Sequence, residues 1–256
     1  MNEVNQEEIN KIWGKEWKEH ENLSPNKILN HKVFLEGYPV LKKFIPENHG
    51  QNILEIGSGS GRHGIRIAQD FPQSHVVLTD ISEESLGLIR NLTGKLGIKN
   101  IEIKGEDVLN LSFSDNKFDV VFCNAVIQYL PNYELAISEM VRVLKPGGRI
   151  ILSTVNFWNL PYLLDRKVLR RKNYPHGQER PFKKDELKKL LLGEGIKLIA
   201  DDGYYFAYGI IRLRYISGIF KPIGGIVNRL VRIIDPFTNR FISKNFGFEI
   251  VIVGRK

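Results

Sequence analysis

Residues 52–64 read N-I-L-E-I-G-S-G-S-G-R-H-G, an apolar run with one acid, Glu55, followed by glycines at 57, 59, 61 and 64. A glycine-rich loop between a strand and a helix aims free backbone N–H groups at whatever lies against it. Two registers fit. Gly59-x-Gly61-x-x-Gly64, with Asp80 about 20 residues further on, matches the dinucleotide pattern G-x-G-x-x-G. Glu55-x-Gly57-x-Gly59-x-Gly61 instead puts a carboxylate at the strand end. Beside a pyrophosphate a carboxylate has no obvious use. It suits a cofactor with a cationic head and no phosphate.

Four further stretches follow in order. They are L-T-D at 78–80, G-E-D-V at 105–108, F-D-V-V-F-C-N-A-V-I-Q-Y-L at 118–130 and V-L-K-P-G-G-R-I-I-L at 143–152. With the second register of the loop, they resemble the motifs of the class I S-adenosylmethionine-dependent methyltransferases. The resemblance runs over about residues 50–155, with a weaker tail to 200. It is closest to the small-molecule group that shares R-V-L-K-P-G-G.

The resemblance implies S-adenosyl-L-methionine as cofactor and S-adenosyl-L-homocysteine as product. It implies that Glu55, Gly57, Ser58, Gly59 and Gly61 form the cofactor loop. Asp80 would hold both ribose hydroxyls, with Ile81 beside it. Asp107 would meet the adenine amine, and Val108 would pack on the ring. The backbone of Asn124 and Ala125 would line the methionine part. From the residues alone, Glu55 also reads as a solvated strand-end acid, Asp80 as a helix cap and Asp107 as a turn residue.

Methyl transfer from a sulfonium is an in-line displacement in which the protein supplies alignment and exclusion of water. A general base helps when the acceptor is an alcohol or an ammonium. His63, Tyr129 and His176 are candidates, and none is singled out. His63 also reads as the start of a helix, and His176 as a structural residue before F-K-K-D-E-L. Trp13, Trp17, Gln128, Tyr129, Tyr174 and Arg180 are candidate acceptor contacts.

Other chemistries fit less well. Enzymes that methylate the adenine amine carry Asn/Asp-Pro-Pro-aromatic where this chain has Asn124-Ala125-Val126-Ile127. Pyrimidine carbon methylation needs a cysteine nucleophile, but Cys123 sits inside an apolar run and reads as a small hydrophobe. It is the sole cysteine. That disfavours arsenic methylation, a disulfide framework and a zinc cluster, and suits a reducing compartment. A nucleic acid acceptor is therefore disfavoured. Two other functions stay open: a dinucleotide-binding oxidoreductase using the first register, and a non-catalytic S-adenosylmethionine-binding protein.

These residues need a scaffold. Strand-like runs at QNILEIG, HVVLTD, NIEIKGED, KFDVVFCNA and GRIILSTV alternate with helical stretches at GSGRHGIRIAQDF, ISEESLGLIRNLTGKLG and 132–144. That alternation marks a parallel sheet covered on both faces. Periodicity places helices over 6–19, from Ser24-Pro25 towards Phe44, and over KKDELKKLLLGEG. IKLIADDGYYF and FGFEIVIVGRK complete the strands. The expected fold is α/β, Rossmann-like and doubly wound, its seven-stranded sheet mostly parallel with an antiparallel last strand, as the resemblance implies. The expected division is an N-terminal helical cap, 1–48, and a methyltransferase domain, 49–256. Substrate-side insertions fall at about 156–182 and 208–245.

The first residues are polar, no run reaches the ~18 apolar residues of a spanning helix, and a cytosolic protein is expected. Net charge is +8 and uneven: residues 1–164 carry 17 Lys/Arg against 20 Asp/Glu, and residues 165–256 carry 20 against 9. The basic third reads as a solvated surface or as a partner for something anionic. Residues 212–233 mix apolar clusters with Arg and Lys. They read first as a lid packed on its own domain, and second as an amphipathic segment lying on an anionic membrane. The acceptor reads as small or amphiphilic, lipid-like or glycan-linked. No oligomeric state can be read.

Overall fold

The computed structural model describes residues 6–20, 23–47, 50–169, 179–212, 218–234, 237 and 240–256. Among these, seven strands form one sheet: β1 (Asn52–Ile56), β2 (His75–Asp80), β3 (Ile101–Gly105), β4 (Phe118–Asn124), β5 (Leu144–Val155), β6 (Lys197–Tyr204) and β7 (Glu249–Arg255). Their order is β3-β2-β1-β4-β5-β7-β6. The pairings from β3 across to β5 are parallel, and β7 runs antiparallel to both its neighbours. Chain order reverses direction across β1 and β4. Their carboxyl ends therefore open the crevice in which such sheets receive ligands.

Alternation along the strands explains the two cores. Ile53, Val76, Val120 and Phe122 point to one face. Leu54, Val77, Val121 and Cys123 point to the other. The first face is covered by α3 (Lys32–Lys42), α4 (Arg62–Asp70) and α5 (Glu83–Leu96), and the second by α6 (Tyr133–Val143) and α8 (Lys184–Gly193). Each fully buried Leu, Ile or Phe contributes about 1.5–3 kcal/mol, so the sheet's edge is held rigidly under the loops that leave it.

Three elements differ from the sequence expectation. The helix from Ser24 breaks into α2 (Pro25–Leu29) and α3. Ser24 does cap it, accepting from Lys27 N. The break lies at His31, the N-cap of α3, whose extended backbone (ψ of 133°) follows directly on Asn30, the C-cap of α2. Second, residues 156–182, which show no sustained period, contain α7 (Leu160–Leu169). Asn159 starts it, its Oδ1 accepting from Tyr162 N. Third, the described part of the insertion at about 208–245 is mostly helical, with Pro222, Gly224 and Gly225 inside one helix. Past the short α9 (Tyr208–Arg212), α10 (Phe220–Ile234) runs straight through them, and α11 (Phe241–Phe246) follows. Pro222 lies in the first turn, where its missing N–H has no intrahelical partner to lose.

Candidate active site

The glycine loop leaves β1 and enters α4. Gly57 and Gly59 have φ of 62° and 54°. A Cβ on Gly57 would stand 2.4 Å from Val126, and one on Gly59 would stand 2.6 Å from the indole of Trp17. Both positions need glycine twice over, for backbone conformation and for space. Gly64 is needed for space alone: its Cβ would meet Leu78 at 1.9 Å and Glu55 Oε2 at 2.5 Å.

Glu55 lies at the base of this loop, 2% exposed. Its Oε2 accepts from Gly64 N at 2.9 Å, and its Oε1 is 3.9 Å from His63 Nδ1. Burial raises the carboxyl's pKa to about 8, against the opposing pull of the Gly64 N–H. Asp80 ends β2. Its Oδ2 accepts from Gly59 N at 2.8 Å and its Oδ1 from Ser82 N at 3.0 Å. Burial also raises its pKa, the Ser82 and Gly59 amides working against the shift. Ser82 in turn caps α5 through Ser85 N. One carboxylate thus ties the loop of β1 to the helix after β2. Asp107 is exposed and accepts from Leu109 N at 2.9 Å.

Above the loop lies α1 (Gln6–His20). Trp13 and Trp17 stack with ring centroids 5.4 Å apart, and Trp13 meets Tyr129 edge-on at 5.1 Å. Between helix and sheet is a cavity of about 640 Å³. Glu55, Gly57, Ser58, Gly59, Asp80 and Ile81 line one part of it, and Asp107, Val108, Asn124 and Ala125 line another. Trp13, Trp17, His63, Gln128 and Tyr129 complete the expected residues found there. Ala125 takes φ of 58°, unusual for a residue with a side chain, and its N–H donates to Ser153 O at 2.9 Å.

Two expected residues lie elsewhere. Gly61 is the left-handed N-cap of α4, beneath the lining. The guanidinium of Arg180 turns away from the cavity, lying over Tyr133 and Phe182 and pairing with Glu186. Tyr174 and His176 lie outside the described residues. Gln128 is buried, its Oε1 accepting from Thr154 Oγ1 at 2.7 Å. His63 is wedged against Phe34 and Phe122, and burial lowers its pKa to about 3. It is therefore neutral at physiological pH. Burial likewise raises the Cys123 thiol well above its ordinary range.

The structure adds acids that the sequence reading passed over. Glu249 opens β7 opposite Tyr204, the last residue of β6. Its Oε2 accepts from Tyr204 OH at 2.5 Å and from Ser153 Oγ at 2.8 Å. Tyr204 OH also lies 3.1 Å from Asn124 Oδ1. Burial raises the pKa of Glu249, the two hydroxyl donors opposing it. Glu179 accepts from Tyr129 OH at 2.7 Å and from Tyr162 OH at 2.8 Å. Both acids line the cavity. A signal for Glu249 exists in the sequence: it is a lone acid at the start of an apolar strand. If that strand is antiparallel, its first residue stands at the same sheet edge as the ends of the parallel ones.

Residues 47–194 match the family described as "Methyltransferase domain". The chain belongs to that family. It is a class I, S-adenosylmethionine-dependent methyltransferase by family and fold. The demethylmenaquinone methyltransferase of Listeria welshimeri is 27% identical over 162 residues, 63% of this chain and 68% of that protein. The malonyl-[acyl-carrier protein] O-methyltransferase 2 of Ilyobacter polytropus is 36% identical over 104 residues, 40% of this chain and 39% of that protein. A SAM-dependent methyltransferase of Thermotoga maritima shares the fold at a TM-score of 0.63 and 18% identity, over 96% of this chain and 99% of that one.

The lining fits the family's cofactor. Among the described lining residues seven are Asp or Glu and one, Arg62, is a Lys or Arg, which favours a cationic occupant. Glu55, buried and hard to ionise, gains most from a cation brought beside it. Asp80, already anchored by two amides, presents a fixed carboxylate to hydroxyls. Among the described residues no cluster of His, Cys, Asp and Glu could hold a metal.

Proposed function

We propose that this methyltransferase acts on a small or amphiphilic acceptor that reaches the cavity uncharged or cationic, and that its reacting O–H or N–H gives its proton to Glu249. The observation that carries this reading is the cavity itself. Acids sit on the glycine loop at one end, and at the other aromatic rings surround Glu179 and Glu249. An anionic acceptor would meet like charge at both ends, whereas aromatic or apolar bodies gain from Trp13, Tyr129 and Phe248.

Bound S-adenosylmethionine would supply a methyl carbon already activated on sulfur. The residues do the rest. Glu55, Gly57, Ser58 and Gly59 would hold the cationic head, Asp80 the ribose hydroxyls, and Asp107 with Val108 the adenine. Asn124 and Ala125, at the end of β4, would line the path between cofactor and acceptor. Tyr204 OH joins Asn124 to Glu249, so Glu249 stands within one hydroxyl of that path. Trp13 and Trp17 would exclude water from it.

A lipid-like acceptor fits the apolar lining. It is also consistent with the match to a protein named for demethylmenaquinone. Such an acceptor would be met at a membrane surface. Calorimetric titration with S-adenosylmethionine, S-adenosylhomocysteine and NAD tests the cofactor half: micromolar binding of the first two with NAD silent is expected. Turnover across quinol, phenol, amine and carboxylate acceptors then tests the acceptor half. Preferential methylation of carboxylates would overturn it.

A further inference from the structure

The helix α10 wears its amphipathicity outward. Ile219, just before it, and Ile223, Ile226, Leu230, Ile233 and Ile234 within it are all exposed, from Ile223 at 42% to Ile219 at 64%. At 3.6 residues per turn they fall within about 100° of arc. Phe237, beyond the helix, is 87% exposed. The opposite side holds the helix to the protein. Gly224 packs on Ile211 of α9, and Asn228 and Arg232 bind Glu36 of α3 at 3.1 and 2.7 Å. The expectation of an apolar face closed against its own domain is not what the structure shows. The polar face is inside and the apolar face meets solvent.

Its surroundings say what covers it. Over 219–246 the sequence has five Lys or Arg (Lys221, Arg229, Arg232, Arg240, Lys244) and one acid, Asp235. A second copy seated on the stripe would bring these cations against their own counterparts. An anionic lipid surface would receive both the stripe and its cations. We propose that α10 docks the protein on an anionic bilayer, burying this isoleucine-rich stripe among the acyl chains with Arg229, at the edge of the stripe, at the headgroups. No described helix is long and apolar enough to cross a membrane, so the contact is peripheral. The helix rests on α9, whose first residue, Tyr208, lines the catalytic cavity. The docking face is therefore one helix away from the site. The surface deepens the reading of an amphiphilic acceptor, yet it stands on α10 alone.

The test is flotation of the whole chain with vesicles of phosphatidylcholine, with and without about 30% phosphatidylglycerol, in the absence of cofactor and acceptor. Binding should appear with the anionic vesicles and weaken at least tenfold between low and high salt. The double variant Ile226→Glu/Leu230→Glu should lose it at least tenfold. Because both side chains are exposed, its melting temperature and S-adenosylmethionine affinity should be unchanged. Arg229→Gln should flatten the salt dependence. No binding to anionic vesicles, equal binding to neutral ones, or binding indifferent to Ile226→Glu/Leu230→Glu would overturn the proposal. So would a dimer that this variant dissociates. Failure here leaves the cofactor titration untouched, and a silent titration leaves vesicle binding untouched, so the two readings fail separately.

Discussion

Replacing Glu55 by Gln should move stability and affinity in opposite directions. The carboxyl titrates at about 8 in the folded chain and at 4.5 ordinarily. A folded pKa above the unfolded one gives a contribution that is intact below 4.5 and is lost as pH rises towards 8. At pH 7 the loss is about 1.36 kcal/mol for each of roughly 2.5 units, or about 3 kcal/mol. Gln carries no charge at any pH and still offers an oxygen to Gly64 N–H. The free variant should therefore outlast the parent by about 3 kcal/mol near pH 7 and by almost nothing near pH 4.5. For a chain of this size that is about 6–12 °C in melting temperature. Affinity for the sulfonium cofactor should fall, since a charged acceptor facing a cation contributes about 1.5–3 kcal/mol, or roughly 10- to 150-fold. Thermal melts across pH and calorimetric titration read the two effects. A stability gain that is absent, or independent of pH, refutes the account of a carboxyl kept un-ionised by its burial. Unchanged affinity refutes its contact with the cofactor and leaves it a strut for Gly64.

The other expectations are briefer. Gly57→Ala combines a left-handed φ with a 2.4 Å approach to Val126 and should destabilise by about 2–4 kcal/mol in denaturant melts; no change would mean that the loop relaxes freely. Asp80→Ala should weaken S-adenosylmethionine binding at least tenfold by calorimetry, through lost hydroxyl contacts and a freed Gly59 amide, and equal affinity would remove its ribose role. With Glu249 as proton acceptor, turnover should rise with pH through its raised pKa and then level off. Glu249→Gln should flatten that rise and lower kcat while leaving cofactor affinity alone, and an unaltered pH–rate curve would dismiss it. His63→Gln should leave the curve's shape unchanged, because a ring with a pKa of about 3 has no titration to contribute near neutrality.

Where sequence and structure agree, one local signal sufficed. The runs that became β1, β2 and β4 are apolar on both faces, and no element but a covered parallel strand accommodates that. The pattern lists the loop's glycines without saying what makes them necessary. Gly57 and Gly59 are demanded by Val126 and Trp17, which come from elsewhere in the chain. The break between α2 and α3 has no Pro or Gly to announce it: it lies at His31, whose backbone is extended. Glu249 was overlooked because its partners, Tyr204 and Ser153, lie on β6 and β5. Arg180 looked free to meet a substrate until Tyr133, Phe182 and Glu186 placed it. In α10 the pattern was legible and its orientation was not, since periodicity gives the stripe without saying which way it faces.

The chain has three tryptophans, at 13, 17 and 158. Two are stacked on each other at the glycine loop, Trp17 lying against Gly59 and Trp13 against Tyr129. The third, Trp158, is half-exposed and lies outside the cavity lining. Anything that settles along Gly59 must share that face with an indole or push it aside. Ultraviolet emission from the unlabelled protein should therefore change in colour and intensity as the site fills, against a steady background from Trp158. The protein carries its own optical gauge of occupancy, and Trp17→Phe should dim it.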